Sequence, residues 1–200
     1  GKSWMDHQRA EKIEKAGKAF EIGMKSLEIE DLDKARESFG EAIETDAGFA
    51  QVSAQFLADA ELRFAGDTAA AAKVLNEASD KSGPLSDMAL LKAAYLKVDS
   101  LDLAQTEVML EPLLVRTGGF NALAQELVAA KAMAEGDLVR ARTEYQVLAY
   151  RLDAPEGVQQ RAQEALSILP PLKVAEEKGA AASGADAGLD KEAVPAGDEQ

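Results

Sequence analysis

Gly-Asp occurs at 66–67 and again at 136–137, 70 residues apart, and each pair opens the same pattern. In AGDTAAAAKVLNEA (65–78) and EGDLVRARTEYQVL (135–148) an alanine follows five residues after the glycine, and a large apolar residue four further on. Two more segments fall into phase. IEDLDKARESFGEA (29–42) supplies Glu30-Asp31, Ala35, Phe39 and Ala42, and VDSLDLAQTEVMLE (98–111) supplies Asp99-Ser100 and Ala104. The small positions read as Ala35, Ala71, Ala104 and Ala141, at intervals of 36, 33 and 37, with Phe39, Leu75, Val108 and Tyr145 as their large partners. Self-similarity at such a period means that each copy is one supersecondary unit unable to bury its apolar face alone.

The unit these residues specify is a helical hairpin: a first helix (A), a short turn and a second helix (B). Glycine at the turn takes φ > 0 and closes helix A. The aspartate after it caps helix B through its carboxylate. Asp99, which tolerates the left-handed region better than most residues, is expected to replace the glycine in the third copy. The alanine lets helix B approach helix A, and the large residue one turn later fills the space between hairpins. The expected fold is therefore all-α, a solenoid of about four stacked hairpins; its right-handed superhelical sense is implied by the family that this pattern resembles.

A period near 34 with Gly-Asp followed by A-x-x-x-[FYL]-x-x-A resembles the tetratricopeptide repeat (TPR), over roughly residues 16 to 150. The first copy, with Gly23, Ala35, Phe39 and Ala42, matches best; Ala47 stands where a proline often ends a repeat, and the third copy departs most, with Glu111-Pro112 at positions expected to be small. The degenerate repeats, the alanine-rich A helices and the closing segment DAPEGVQQRAQEALSIL (153–169) further resemble the YfgM-like proteins of the bacterial envelope. That resemblance implies a periplasmic domain tethered to the inner membrane by an N-terminal helix outside this chain. It also implies service as an ancillary subunit of the Sec translocon, in association with periplasmic chaperones. The alternative is a soluble TPR scaffold or adaptor in another assembly, cytoplasmic or otherwise. An enzyme carrying a TPR module would need a catalytic domain outside these residues.

Around the repeats, residues 3 to 28 read as one long helix whose first fifteen positions are polar and front a linker to the expected anchor. Trp4 is the only tryptophan. Helix A of the second copy is expected from about Gln51 to Phe64. In the third copy Gly83-Pro84 is expected to open helix A, and Pro112 to bend helix B. Gly118-Gly119 is expected to break the chain before a fourth A helix over 121–135. Pro155 opens a final amphipathic helix that caps the stack, so the packed domain is expected over 16–169. From Pro170-Pro171 to residue 200 the chain is rich in Ala, Gly and acid, with three lysines against seven acids, or −4. A disordered tail is the expectation there.

Composition excludes much chemistry. There is no cysteine and only one histidine, His7, so thiolate sites and sites needing two imidazoles are ruled out. A net charge of −14 denies nucleic acid the basic footprint it requires. No phosphate-binding Gly-Lys loop, nucleophile elbow, H-E-x-x-H or G-x-G-x-x-G is present. The acidic knot Glu28, Glu30, Asp31 and Asp33 lacks the spacing of a calcium loop. No catalysis, cofactor or metal is expected; the partners are expected to be proteins or peptide segments, and the membrane is reached only through an anchor outside the chain. In TPR folds the A helices line a concave face. Carried onto this sequence, that face takes Phe20, Met24 and Leu27 from the first A helix and Phe56, Arg63 and Phe64 from the second. The third gives Leu96 and Lys97, and the fourth Glu126 and Met133. The set reads as an apolar groove with two cations and an acid, suited to a peptide or helix.

Overall fold

The computed structural model describes residues 1–172, so the expected acidic tail lies, from residue 173 on, outside the described residues. Among them are nine α-helices and no strand: α1 (Lys2–Glu28), α2 (Leu32–Thr45), α3 (Ala47–Ala60), α4 (Thr68–Ser79), α5 (Ser86–Lys97), α6 (Leu103–Leu114), α7 (Gly119–Ala134), α8 (Leu138–Tyr150) and α9 (Glu156–Ile168). A π-helical turn, Glu61–Ala65, continues α3, and a 3-10 turn, Val98–Ser100, follows α5. The fold class is all-α. None of these helices is long and apolar enough to cross a membrane.

Four aspartates set the register. Asp31, Asp67, Asp102 and Asp137 are the N-caps of α2, α4, α6 and α8. Each carboxylate accepts from the backbone N–H three residues on, at 3.0 Å from Lys34, 2.8 Å from Ala70, 2.7 Å from Gln105 and 3.1 Å from Arg140. This satisfies one of the donors that a helix start leaves free. The caps lie 36, 35 and 35 residues apart. Four residues after each cap stands a fully buried small residue: Ala35, Ala71, Thr106 and Ala141. Four further on come Phe39, Leu75, Leu110 and Tyr145, all buried.

The third copy thus corrects the sequence register by two residues. Ala104 and Val108, read above as the small and large core positions, are exposed, Val108 to 76%. The reason is the turn. Asp99 does not take the left-handed conformation that Glu30, Gly66 and Gly136 take at the other three turns. The chain runs instead through the 3-10 turn and an extended Leu101, φ −106° and ψ 150°, before Asp102. Asp102 forms a capping box with Gln105, each side chain bonding the other's backbone N–H. Thr106 tolerates full burial because its hydroxyl donates to the Asp102 carbonyl at 2.8 Å.

Other boundaries shift for local reasons. α3 begins at Ala47 because Asp46 caps it, accepting from the Gly48 N–H at 2.8 Å. Its π turn takes up the extra residue of the 36-residue interval, and the Asp67 N–H reaches back to the Glu61 carbonyl at 3.1 Å. Gly83-Pro84 lies in the turn before α5 rather than opening it. Glycine is needed at 83 because a Cβ there would sit 2.3 Å from the Gln51 amide oxygen. Buried Gln51 uses its amide N–H groups to hold the end of α4, donating to the carbonyls of Ala78 at 3.0 Å and Lys81 at 2.8 Å. α6 runs through Pro112 as far as Leu114. α7 covers Gly119–Ala134, close to the expected 121–135.

Every helix packs on its neighbours in sequence, and the odd helices also touch in succession, α1 on α3, α3 on α5, α5 on α7 and α7 on α9. The core follows this row as four successive clusters. At one end α9 buries Val158 and Ala162. At the other, only residues 16–28 of α1 contribute buried side chains, while residues 2–15 continue as helix with every residue exposed, Trp4 included.

Candidate interaction surface

The ten residues drawn from the resemblance fall into separate environments. Phe20, Met24, Leu27 and Phe56 are half-buried against Ala35, Phe39 and Leu57. Phe20 sits edge-on to Phe39 and to Phe56, with 5.7 Å between ring centres in both pairs, and Phe39 stacks on Phe56 at 6.1 Å. Gly23 permits this: a Cβ there would meet the Phe39 ring at 2.7 Å. Most of the contact area of these rings is therefore committed to holding α1, α2 and α3 together. Arg63 and Phe64 belong to the π turn. Arg63 is exposed, pairs with Asp59 at 3.3 Å and lies 5.2 Å from the centre of the Phe64 ring.

Leu96 packs on the second core cluster, whereas Lys97 lines clefts facing α4 and α6. Met133 packs on the last cluster. Glu126 is 8% exposed and forms a two-pronged pair with Arg161 of α9, at 2.6 and 2.8 Å. A similar fork joins Arg36 of α2 to buried Glu61 of the π turn, at 2.7 and 2.9 Å, and its hydrogen bonds push the Arg36 guanidinium above the usual range. His7 is exposed beside Glu11 at 3.2 Å. In the acidic knot Asp31 is a cap and Asp33 pairs with Arg36 at 3.2 Å.

Between α3 and α5 the structure forms a groove of about 250 Å³ lined by Gln55, Ala58, Asp59 and Leu62 on one side and Lys92, Tyr95 and Leu96 on the other, with Leu75 at its floor. Only Leu96 was among the sequence candidates. Gln55, Asp59 and Leu62 follow one another at helical spacing, as do Lys92, Tyr95 and Leu96, which is the signal that was available. The π turn Glu61–Ala65, which carries Leu62, is not legible in the spacing, and it turns the following side chains by about one residue, roughly 100°.

The polar groups in the groove are unevenly matched. Lys92 donates to the Gln55 amide oxygen at 2.5 Å. That fixes the Gln55 NH₂ pointing inward, where it is buried without a partner among the described residues. An orphaned donor of this kind costs about 1–3 kcal/mol. Tyr95, 44% exposed, borders the groove, and burial followed by the nearby Glu126 carboxylate pushes its hydroxyl pKa upward against the opposing Arg161. The same groups act in the same order on Tyr145 of α8. A larger cleft, about 580 Å³, opens between the end of α4, the start of α5 and α6, with the Asp87–Arg116 pair among its walls. Among the described residues no three His, Cys, Asp or Glu side chains converge. No family model, curated protein or solved structure matches this chain.

Proposed function

We propose that this protein is a non-catalytic scaffold for protein–protein interaction, a right-handed solenoid of about four TPR-like hairpins capped by α9. One observation carries the reading: four aspartate-capped helices in a 36, 35, 35 register, each hairpin presenting an odd helix to the next odd helix. Stacked hairpins of this kind make an extended face from their first helices, and such faces bind segments of other proteins. In the fuller form of the proposal the face works at the periplasmic side of the bacterial inner membrane, beside the Sec translocon and periplasmic chaperones, as the YfgM-like resemblance implies.

The test is in-cell photo-crosslinking, with a photoreactive residue placed at Leu62 or Tyr95 on the odd-helix face and at Val147 on α8. Discrete adducts from the first two positions, containing translocon subunits or chaperones, are expected. Adducts confined to cytoplasmic assemblies would move the scaffold to a soluble setting, and no adduct from any position would sink the interaction reading itself.

A further inference from the structure

We infer that the groove between α3 and α5 is a docking subsite for an acidic, apolar peptide segment of a partner protein. The segment seats an apolar side chain between Leu62 and Leu96 and presents a carboxylate to Lys92 and Gln55. The inference rests on the scaffold reading and deepens it. At about 250 Å³ the groove is smaller than the roughly 300–1,000 Å³ of a cofactor or small-molecule site, so a side chain fits it better than a free ligand. Its apolar walls are Ala58, Leu62, Leu75 and Leu96.

The charge of the occupant follows from how the polar groups are matched. Asp59 is already paired with Arg63. Among the described residues Lys92 has only the neutral Gln55 amide, and by holding that amide's oxygen it leaves the NH₂ turned inward with no acceptor there. A carboxylate that takes the Lys92 ammonium frees the amide to rotate about Cγ–Cδ and donate outward to the same anion. A buried donor without a partner is then exchanged for a carbonyl oxygen, which tolerates an unmade bond better. A cationic segment gains none of this and meets Lys92 with like charge. The net charge of −14 opposes an acidic partner at long range. Beyond about 8 Å that repulsion is screened at physiological salt, so contact at Lys92 and Gln55 decides.

Fluorescence anisotropy on the full chain tests the assignment. Two labelled twelve-residue peptides are compared, one alternating leucine pairs with glutamate pairs and one with lysine at every glutamate. The acidic peptide is expected to bind at least ten-fold more tightly. Lys92→Glu is expected to reverse the preference, and Leu62→Asp to weaken the acidic peptide at least ten-fold. Val108→Asp, in the other cleft, is expected to change nothing. In NMR spectra the Gln55 side-chain NH₂ resonances are expected to move with the acidic peptide and not with the lysine peptide. Equal binding of the two peptides, no binding of either, or affinities within two-fold of wild type for both Lys92→Glu and Leu62→Asp would overturn the inference. So would carbodiimide coupling of Lys92 to residues 173–200 of the same chain or to a second copy. Should photo-crosslinks at Leu62 and Tyr95 persist while the acidic peptide fails, the subsite chemistry is wrong and the scaffold stands.

Discussion

Between α1 and α3 the space behind α2 is filled by rings: Phe39 lies fully buried, with Phe20 edge-on and Phe56 stacked. Between α7 and α9 the equivalent position of α8 is Tyr145, which pairs with no other ring among the described residues and belongs to a cluster of alanines and aliphatic residues that includes Ala122, Ala129, Leu148 and Val158. There polar bonds reinforce the aliphatic packing. Arg161 forks onto Glu126, and Arg142 donates to the carbonyls of Leu169 at 2.9 Å and Pro170 at 3.1 Å. One register is thus met by stacked aromatic rings at one end and by alanine and aliphatic contact around a lone ring at the other, with a two-pronged Arg–Glu clamp at each, Arg36–Glu61 and Arg161–Glu126. The lesson is that spacing fixes which positions face inward, while the width of the local gap decides what can fill them. Gly23 leaves room at the first end for the Phe39 ring, which a Cβ there would meet at 2.7 Å.

The largest effect expected from breaking this contrast is Phe39→Ala. Truncating a fully buried ring costs about 3–5 kcal/mol, to be read from urea unfolding. The sharper experiment replaces both large residues by leucine, which the middle copies already carry at Leu75 and Leu110. Phe39→Leu forfeits two ring pairs, about 0.5–1.5 kcal/mol for each beyond its lost area. Tyr145→Leu forfeits none, so equal losses for the two variants would dissolve the distinction between the ends.

Next in size is Arg161→Ala, which leaves the Glu126 carboxylate buried without its partner. Loss of one member of a fully buried pair costs about 3–5 kcal/mol, but the Arg161 side chain is 54% exposed. A loss of about 1–3 kcal/mol is therefore expected. Hydrogen exchange should locate it, with amide protection falling in α9 and α7 while α1–α3 stay unchanged.

Ala141→Leu is expected to cost about 1–3 kcal/mol through overpacking at the small position. Ala104→Leu, at the exposed site one register away, should stay within about 0.5 kcal/mol. Equal melting shifts for the two would restore the register that the sequence alone suggests for the third copy.

The smallest effect concerns pH. Burial, with Glu126 next, holds the Tyr145 phenol above its ordinary value. A group whose folded pKa is raised contributes stability that is present below its unfolded pKa and is lost as pH rises through the folded value. Stability should therefore fall above about pH 10. In Tyr145→Phe that fall should be shallower, since one of the raised phenols is gone; an unchanged slope in thermal melts across this range would remove Tyr145 from the linkage.

Several features could be read from residues alone because they are local. Helix class and the caps at Asp31, Asp67 and Asp137 depend on contacts within about one turn, and the small positions Ala35, Ala71 and Ala141 follow from the repeated spacing, so the sequence pattern carries them directly. The third copy departs because the chain passes through a 3-10 turn and an extended Leu101 before its cap, which Asp99-Ser100 does not announce, although D-x-x-Q at 102–105 is the usable sign. The groove was less legible. Its walls come from two helices whose facing residues Gln55 and Lys92 are 37 apart, and its composition depends on a π turn that no periodicity announces. Whether Phe20 and Phe56 are core or surface could not be decided from spacing either, because an odd helix meets an even helix on one side and another odd helix beside it. Only tertiary packing assigns each face, since burial is a property of the neighbours a side chain finds and not of the side chain itself.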